Sequence, residues 1–367
     1  MENFKMPQPL PDPRVYYDDV VFSDEMRAME NKIWSLACLK ADVAKNNSFY
    51  VVQVGQSSVV IQNFKGELKA FDNVCAHRFA RIRSTEKGVG VLRCPYHSWT
   101  YGADGSPVSI PFEDEAFGFT PDQRKCFSLT PWRLETCGPF VFVTRPKNEL
   151  SLQDYLSSFY EPLLTFGATL GAEVGEFVFD YKANWKICVE NTLDEYHATF
   201  VHPSTFQKWL NLKSSYEYFD LHSSVQLEFN EDHLRGQRKI ERLMGTDDPA
   251  QSGYRSDIVF PNVTTTRTRG SMGGYLVYVP TGPESTTIKA RIFLNPQTKD
   301  NLPEAVTQAH RTAAAEVART ILAEDGSMCE AVQLGIKRAP GPGVAGRYEQ
   351  RLIHFQRNVA EWLSSEY

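Results

Sequence analysis

The sequence predicts an α+β protein in which a small all-β domain precedes a larger domain with an antiparallel sheet flanked by helices. Short β-branched and aromatic runs separated by Gly, Asn and Pro dominate the first part of the chain. Longer strand-like runs alternate with helical segments in the second part. With 367 residues, the chain is long enough for two domains that each bury a core.

The N-terminal region, residues 1–35, is predicted to be an arm and a helix that pack with the larger domain. A proline-rich stretch comes first, and Ser23 then precedes an amphipathic run that reaches Trp34. Serine is a frequent N-cap, and acidic residues favour the first turn of a helix. We therefore expect a helix that begins after Ser23.

Residues 36–149 are predicted to form the small all-β domain. Its strand-like runs are FYVVQV, SSVVIQNF, LKAFDNV, VGVLRC, TYGADGSPV and PFVFVTR. Asp104 and Gly105 form a dipeptide that tight turns favour, so we expect a hairpin around them.

Residues 150–367 are predicted to form the larger domain. A strand and a helix come first, followed by the strand-like runs SSVQLEFN, SDIVFPNVTTTRTR, GYLVYVP and TIKARIFLNP. Asn301, followed by Pro303 and an acidic residue, is typical of a helix start, and this helix is expected to end near Glu324, before Gly326. The run YEQRLIHFQRNVAEWL predicts a closing amphipathic helix.

Charge and hydropathy exclude several classes of protein. Lys and Arg number 39 and Asp and Glu 45, giving a net charge of −6, so no basic field is available to bind nucleic acid. No run approaches the ~18 apolar residues that span a membrane, and the start MENFKMPQPLPDP lacks a signal-peptide pattern, so we expect a cytoplasmic protein without membrane association. Seven scattered cysteines favour reduced thiols and metal ligation over disulfides.

Two Cys/His pairs form the most specific pattern in the chain. Cys75 and His77 lie in one predicted loop, and Cys94 and His97 lie in another. A [2Fe–2S] cluster in which two histidines replace two cysteines on one iron needs these four ligands. A zinc site is the alternative, although zinc sites usually pair two cysteines together and two histidines together.

Here the residues resemble a known family. The segments CAHR and CPYHSWTYGADG resemble the Rieske motif of bacterial ring-hydroxylating oxygenase α subunits. The resemblance implies that Cys75 and Cys94 ligate one iron of the cluster and that His77 and His97 ligate the other.

The same resemblance concerns three residues beside the second pair. It implies that Trp99 and Tyr101 fill the turn beneath the cluster. Ser98 departs from the pattern, because the family usually has glycine at this position.

A second metal site is predicted in the segment ANWKICVENTLDEYHATFVHP. Two histidines and one carboxylate form the facial triad that holds Fe(II) and leaves positions open for O₂ and substrate. His197 and His202 are five residues apart, which is about 500° on an ideal helix. Both can therefore reach one metal only if the helix ends or kinks between them, and Pro203 favours such a break.

The resemblance extends to this segment and to ILAEDGSMCEAVQLG. It implies that Asp325 is the carboxylate ligand, with Glu324 and Glu330 as neighbours that could be mistaken for it. It also implies that Asp194 links a Rieske histidine to an iron-bound histidine, and that Asn191 is a polar residue near the iron. A carboxylate that accepts from both imidazoles would orient them.

Together with these sites, the resemblance implies an O₂-dependent oxygenase that hydroxylates a small aromatic or alicyclic molecule. Oxidative N- or O-demethylation of a methylated amine or ether is an alternative, and an electron carrier or redox sensor without oxygenation is a rival from another class. The chain has no GxGxxG motif after a strand, so electrons from NAD(P)H are expected through a separate reductase or ferredoxin. The resemblance implies a homotrimer in which Asp194 meets His97 of the neighbouring subunit.

A quaternary ammonium substrate would need an aromatic cage around its cation, and four aromatic residues beyond the second site are available for one. They are Trp209, Tyr216, Tyr218 and Phe219. We interpret them as ordinary core residues.

Overall fold

The computed structural model describes residues 7–245, 253–269, 272–296 and 303–364. Contacts along the chain separate two units, one of residues 25–155 and one that joins the segment up to Asp24 to residues 156–367. The sequence places the domain boundaries at residues 35 and 149, and these stay predictions. The division by contacts falls after Asp24 and after Tyr155.

The unit of residues 25–155 is built on a seven-stranded antiparallel sheet, with strand order β2-β10-β9-β5-β4-β3-β6 and a separate hairpin of β7 and β8. Its strands are β2 (Ser35–Leu39), β3 (Ser48–Val54), β4 (Ser57–Phe64), β5 (Glu67–Asp72), β6 (Lys87–Val89), β7 (Thr100–Tyr101), β8 (Pro107–Ser109), β9 (Pro131–Cys137) and β10 (Phe140–Thr144). The short strand β1 (Gln8–Pro9) precedes this unit and pairs with β18 (Val344–Ala345).

Both faces of this sheet are covered, as β4 illustrates. Val59 and Ile61 point into one buried apolar cluster, and Val60 between them points into another. Alternation with a period of two is the signature of a strand, and burial on both faces explains why the run is continuously apolar. The second cluster contains Cys75 and Cys94, so the two thiols are anchored in a packed core.

The sequence predictions for this unit are correct for the central strands and incomplete elsewhere. The hairpin at Asp104 is confirmed, and Gly105 adopts the left-handed conformation with φ of 81°. Strands β2 and β9 were not predicted, and most of the run VGVLRC lies outside a strand.

The first long helix, α1 (Asp19–Lys32), begins before the predicted N-cap, and Ser23 lies inside it. The capping side chain is Asp18, whose carboxylate accepts the backbone N–H groups of Val20 and Val21 at 2.8 and 3.2 Å. Aspartate satisfies free helix N–H groups as well as serine does, so the prediction selected the wrong one of two suitable residues.

The larger unit is built on a second seven-stranded antiparallel sheet with the order β11-β17-β16-β15-β14-β13-β12. Its strands are β11 (Glu173–Tyr181), β12 (Leu210–Phe219), β13 (His222–Phe229), β14 (Gly253–Val259), β15 (Val263–Thr268), β16 (Met272–Gly282) and β17 (Ser285–Leu294). The α+β class predicted from the sequence is confirmed.

Helices pack against this sheet, and three of them position the site: α6 (Trp185–Leu193), α10 (Glu304–Ile336) and α11 (Gln350–Ser364). Helix α10 lies against β11, β17 and α6, and α6 lies against β16 and α11. The remaining helices are α2 (Glu113–Ala116), α3 (Pro121–Lys125), α4 (Leu152–Leu156), α5 (Tyr160–Ala168), α7 (Ala198–Val201), α8 (Phe206–Trp209) and α9 (Glu231–Met244), with 3₁₀ turns at Pro13–Tyr16, Lys40–Val43, Ser157–Phe159 and Arg347–Glu349.

Helix α10 extends well past its predicted end. Pro303 is its N-cap, and the predicted start at Asn301 lies outside the described residues. Gly326 does not terminate the helix but lets it approach Tyr181, since a Cβ at this position would lie 2.6 Å from the Tyr181 ring. Asp325 is therefore in the middle of a helix and not at its end.

Among the described residues, no helix combines the length and the apolar character needed to cross a membrane.

Candidate metal centres

The two Cys/His loops of the smaller unit share one backbone geometry. In the first loop, Phe79 donates its N–H to the Cys75 carbonyl oxygen at 2.9 Å. In the second loop, Ser98 donates to the Cys94 carbonyl oxygen at 3.0 Å. Phe79 and Ser98 both adopt the left-handed conformation, with φ of 59° and 60°. Ser98 stands where the family usually has glycine. The left-handed conformation explains that preference, because glycine adopts it without steric cost.

The four predicted cluster ligands lie where these loops meet. Cys75 and Cys94 are buried and free of disulfides. The rings of His77 and His97 are 4.6 Å apart at an angle of 65°. The Nδ1 atom of His77 is buried without a hydrogen-bond partner. A buried nitrogen without a partner is uncommon, and a metal ion would satisfy it.

Trp99 and Tyr101 lie beneath these ligands, as predicted. The Trp99 ring stacks on His77 at 4.8 Å with an angle of 3°. The Tyr101 hydroxyl accepts the Ala76 N–H at 3.2 Å and lies 3.1 Å from the Cys75 sulfur, so its proton is available to that sulfur. Burial, together with His97 and Arg78, lowers the pKa of His77 and favours the neutral imidazole that binds metals. This donor set fits a [2Fe–2S] cluster with two cysteines and two histidines.

In the larger unit, the expected helix break between the two histidines is present. Helix α6 ends at Leu193, and the four-residue helix α7 has His197 at its N-terminal cap and His202 at its C-terminal cap. Asp325 reaches them from α10, and one potential ligand atom of each residue lies within 4.8 Å of the others. The structure thus brings together the three residues of the predicted triad.

The side chains of His197, His202 and Asn191 converge on one oxygen of the Asp325 carboxylate. Asp325 Oδ1 lies 3.1 Å from His202 Nε2, 3.5 Å from His197 Nε2 and 2.9 Å from the Asn191 amide nitrogen, which donates to it. His202 Nε2 is buried and makes no aligned hydrogen bond, the arrangement expected of an atom directed at a shared metal. Asn191, considered in the sequence as a polar residue near the iron, orients this carboxylate.

The pKa values follow from this convergence. Burial raises the pKa of Asp325, but the two neighbouring imidazoles outweigh it and lower the pKa to about 2. Burial lowers the pKa of His197, but Asp194 and Asp325 outweigh it and raise the pKa to about 10. The pocket therefore favours a positive charge beside Asp325, and a divalent metal would supply one.

Three further carboxylates were named from the sequence. Asp194 accepts the backbone N–H groups of Tyr196 and His197, while its other oxygen lies 3.5 Å from His197 Nδ1, beyond a good hydrogen bond. Glu324 lies 2.8 Å from Nδ1 of His202, on the far side of that ring from Asp325. Glu330 accepts a backbone N–H from the end of β11 and lies outside the triad.

A cavity of about 950 Å³, including the solvent at its mouth, opens onto the triad. Its apolar lining consists of Ala198, Phe206, Trp209, Val225, Leu227, Tyr254, Met272, Gly273, Leu276, Ile292, Ala318, Ile321 and Leu322. Its polar lining, apart from the triad, consists of Asn191, Thr192, Asp194, Glu195, Ser256, Thr266 and Thr268. Residues of the strands supply much of this wall. Their spacing in the sequence did not predict that they would line a cavity.

Of the four aromatic residues considered for an ammonium cage, Trp209 lines the cavity. Trp209 also packs against the buried cluster that contains Phe206 and Leu227, as expected of a core residue, and its place in the cavity wall is an additional finding. Tyr218 instead packs on His354 and Phe219 packs on Phe159, with ring centroids 5.0 and 5.3 Å apart. Tyr216 lies along a different, polar depression.

Two family models match the chain. The model described as ring hydroxylating alpha subunit (catalytic domain) matches residues 169–365, which include the triad. The model described as Rieske [2Fe-2S] domain matches residues 33–127, which include the four Cys/His residues. The chain belongs to the Rieske ring-hydroxylating oxygenase α subunits. The family resemblance noted in the sequence is confirmed.

Family membership supports the two predicted cofactors of this α subunit. The Rieske domain is that of a [2Fe–2S] cluster, and the catalytic domain is that of the mononuclear iron oxygenases. Electrons from a partner reductase are typical of this family. The Rieske match favours the cluster over the zinc alternative for the four Cys/His residues.

Curated relatives of this α subunit act on several kinds of substrate. The glycine betaine monooxygenase oxygenase subunit of Pseudomonas aeruginosa is 30% identical over 210 residues, which are 57% of this chain and 47% of the relative. The carnitine monooxygenase oxygenase subunit of Acinetobacter pittii is 32% identical over 196 residues, 52% of each chain. The anthranilate 1,2-dioxygenase large subunit of Acinetobacter baylyi is 33% identical over 197 residues, 51% of this chain and 41% of the relative. The matches thus span about half the length of these relatives.

Solved structures share the fold of this α subunit over nearly its whole length. A quaternary ammonium Rieske monooxygenase in complex with L-carnitine has a TM-score of 0.80 at 22% identity, covering 97% of this chain and 96% of that one. Naphthalene 1,2-dioxygenase from Rhodococcus sp. bound to indole has a TM-score of 0.73 at 18% identity, covering 95% and 92%. A third structure, of a quaternary ammonium Rieske monooxygenase, is described in terms of inter-subunit electron transfer.

Proposed function

We propose that this chain is the oxygenase subunit of an O₂-dependent enzyme that hydroxylates a small organic molecule, with electrons from a separate reductase or ferredoxin. The observation that carries the proposal is the position of His197, His202 and Asp325 at the wall of a largely apolar cavity. A cavity of this kind binds a small molecule beside the group that reacts with it. A protein that only carried electrons would not need it.

Each site residue has a role in this proposal. His197, His202 and Asp325 would hold Fe(II), and Cys75, His77, Cys94 and His97 would hold the cluster. When bound, the iron brings O₂ and substrate together and the cluster supplies electrons.

The remaining groups position ligands and exclude water. Asn191 donates to Asp325 Oδ1 and limits the rotation of that carboxylate. The apolar wall, with Leu276 and Ile292 among its residues, removes water from around the substrate. The protein therefore supplies orientation and a dry site while the iron supplies the redox chemistry.

The charge of the cavity bears on the class of substrate. Its ionisable wall groups are acids and the triad histidines, and among its lining residues in the described ranges there is no lysine or arginine. Away from the triad, a substrate with a carboxylate would therefore meet no lysine or arginine and would lose its hydration. This favours a neutral aromatic or alicyclic molecule.

Oxidation of a methylated amine is the second candidate function. The rings of Phe206, Trp209 and Tyr254 line the cavity, with Phe206 centred 5.8 Å from Trp209 and 5.0 Å from Tyr254. Aromatic faces bind quaternary ammonium groups, and Glu195, which is paired with Arg351, also lines the cavity. Two of the relatives are named for ammonium substrates, glycine betaine and carnitine.

Matched pairs of compounds test both candidates. Purified protein with a reductase would be given toluene against benzoate, and tetramethylammonium against glycine betaine, with oxidised products measured. We expect the carboxylate-free member of at least one pair to give more product. His202→Ala is the control, because it should retain the cluster spectrum and lose turnover. Equal product from wild type and His202→Ala would contradict the proposal.

Metal analysis separates the oxygenase from the electron carrier or redox sensor. An oxygenase should contain about three irons per chain, two in the cluster and one in the triad, whereas a carrier should contain about two. The His202→Ala variant should fall from about three to about two. A wild-type content of two after anaerobic iron loading would favour the carrier.

We further infer that the chain forms a homotrimer in which electrons pass between subunits. Tyr196 and Phe200, which follow Asp194 in the chain, have exposed aromatic rings. Phe79 and Tyr96, which are close in sequence to the Rieske ligands, are also exposed. Exposed rings of this kind favour contact with another protein surface. Asp194 would then lie between His197 of its own chain and His97 of the neighbouring subunit.

A further inference from the structure

The His202 imidazole lies between two consecutive carboxylates of helix α10. Its side chain is fully buried, with Glu324 Oε2 2.8 Å from Nδ1 and Asp325 Oδ1 3.1 Å from Nε2. Consecutive residues on a helix point about 100° apart, so one ring fits between them with one nitrogen toward each. The two carboxylates therefore have different relations to the ring.

The chemistry of imidazole gives the carboxylates of Glu324 and Asp325 different roles. A neutral imidazole has one N–H donor and one bare nitrogen, and an ionised carboxylate offers only lone pairs. When Nδ1–H donates to Glu324, the lone pair is on Nε2. That nitrogen is the one that faces Asp325 and makes no hydrogen bond of its own.

We propose that Glu324 is a positioning residue that holds His202 in the Nδ1–H tautomer and directs Nε2 toward the metal. This inference rests on the proposed iron site. Glu324 is not assigned as a ligand, because its Oε2 contacts Nδ1, whereas the ring nitrogen that faces Asp325 is Nε2. A carboxylate in this position also increases the basicity of the ligating nitrogen.

His197 is held differently, which makes Glu324 the stronger of the two outer contacts. The corresponding carboxylate, Asp194, has one oxygen engaged by the backbone N–H groups of Tyr196 and His197, and the other is 3.5 Å from His197 Nδ1. At that distance it orients the ring only weakly. Loss of the Glu324 carboxylate should therefore weaken metal binding, although Glu324 is not itself a member of the triad.

Cobalt binding tests this role without relying on turnover. Protein that contains its cluster but no mononuclear metal is titrated with Co(II), and the dissociation constant is read from the Co(II) absorbance difference. Glu324→Met keeps the length of the side chain and removes the acceptor. We expect it to bind Co(II) ~10 to 100-fold more weakly than wild type, with the cluster spectrum unchanged. Glu324→Gln should be intermediate, because its amide oxygen can still accept from Nδ1.

Glu330→Met is the matched control, since Glu330 lies on the same helix, is similarly half-buried and contacts the backbone of Lys182. It should bind Co(II) as wild type does. Equal affinity of Glu324→Met and wild type would overturn the inference. Complete loss of binding, equal to that in Asp325→Ala, would make Glu324 a ligand and also overturn it. If wild-type protein itself bound no Co(II), the proposed iron site would fail instead.

Discussion

Ser98 occupies a position whose backbone conformation favours glycine. Its φ of 60° is in the left-handed region, and its side chain is exposed. A residue with a Cβ is strained in this region by about 1 kcal/mol or more. The strain is local, because the hydrogen bond from Ser98 to Cys94 is retained.

We predict that Ser98→Gly stabilises the Rieske domain by about 0.5–1 kcal/mol, since relief of strain exceeds the added flexibility of the unfolded chain. The measurement is the temperature at which the visible absorbance of the cluster is lost. Ser109→Gly, on strand β8, is the control and should lower that temperature. A lower temperature for Ser98→Gly than for wild type would contradict the explanation.

Arg351 and Glu195 form a buried ion pair beside the catalytic site. The guanidinium, fully buried, lies 3.0 Å from the Glu195 carboxylate and also donates to Ser223. Burial raises the pKa of Glu195 to about 7, although Arg351 lowers it. The pair connects helix α11 to the turn that carries the two histidines.

Removing one partner of this pair should be costly. We predict that Arg351→Met lowers the free energy of unfolding by about 3–5 kcal/mol, because a buried carboxylate is left without its counter-charge. The double variant Arg351→Met, Glu195→Leu should recover most of the loss. Urea denaturation measures both, with the exposed Arg347→Met as control. A double variant as unstable as the single one would exclude this cause.

At the scale of elements, helix α10 contains two glycines in opposite surroundings. A Cβ on Gly326 would lie 2.6 Å from the Tyr181 ring, whereas a Cβ on Gly335 would meet nothing within 4 Å. The Tyr181 hydroxyl donates to the Leu322 carbonyl oxygen on the same helix. The contact with Tyr181 thus fixes the helix next to Asp325.

We predict opposite effects for the two alanine substitutions. Gly335→Ala should stabilise the protein by up to about 1 kcal/mol, the helix-propensity difference. Gly326→Ala should destabilise it and reduce the mononuclear metal content, because the clash moves either Tyr181 or the helix that carries Asp325. Thermal unfolding and metal analysis measure the two effects. Normal metal content in a stabilised Gly326→Ala variant would show that the close approach is unimportant.

His233 on helix α9 is expected to make the stability of the protein depend on pH. His233 stacks on Trp209 with ring centroids 5.0 Å apart, and burial lowers the pKa of His233 below its usual value. An unfolded histidine titrates near pH ~6.5, so below that pH the unfolded chain binds more protons than the folded one. This contribution to stability is therefore lost as the pH falls.

We predict that the melting temperature of wild type falls more than that of His233→Phe between about pH 7.5 and about pH 5.5. Phenylalanine keeps a ring for stacking and cannot be protonated. The two melting temperatures should be compared across this range at constant ionic strength. Parallel decreases in the two proteins would assign the pH dependence to other groups.

At the scale of the whole molecule, the proposed trimer predicts complementation between variants. Cys94→Ala lacks the cluster and His202→Ala lacks the mononuclear iron, so neither should turn over alone. When they are co-expressed, some intact clusters face intact iron sites across a subunit interface, and activity should partly return. Variants purified separately and mixed before the assay are the control. Isolated mixed trimers that stay inactive would exclude electron transfer between subunits.

The sequence by itself determined the ligand types and the class of the fold. Cys75 and His77 are two residues apart, and Cys94 and His97 are three apart, so each loop can present one thiolate and one imidazole to the same cluster. Likewise, the spacing of His197 and His202 predicted that a helix ends between them, and α7 ends at Val201, immediately before His202. Local spacing is sufficient when a site is formed by residues within one or two turns of each other.

Only the tertiary structure shows how neighbouring candidates are placed, although the family resemblance had already assigned Asp325 as the ligand. Glu324 and Asp325 are adjacent carboxylates on one helix, and their different roles depend on how α10 packs against the turn that carries His202. Gly326 was expected to end that helix, but the Tyr181 ring uses the space that glycine leaves. The cavity wall combines strands β13 to β17 with residues of helices α6, α8 and α10, which are far apart in the chain. Such contacts depend on sheet register and helix packing, which are set by non-local burial and not by local spacing.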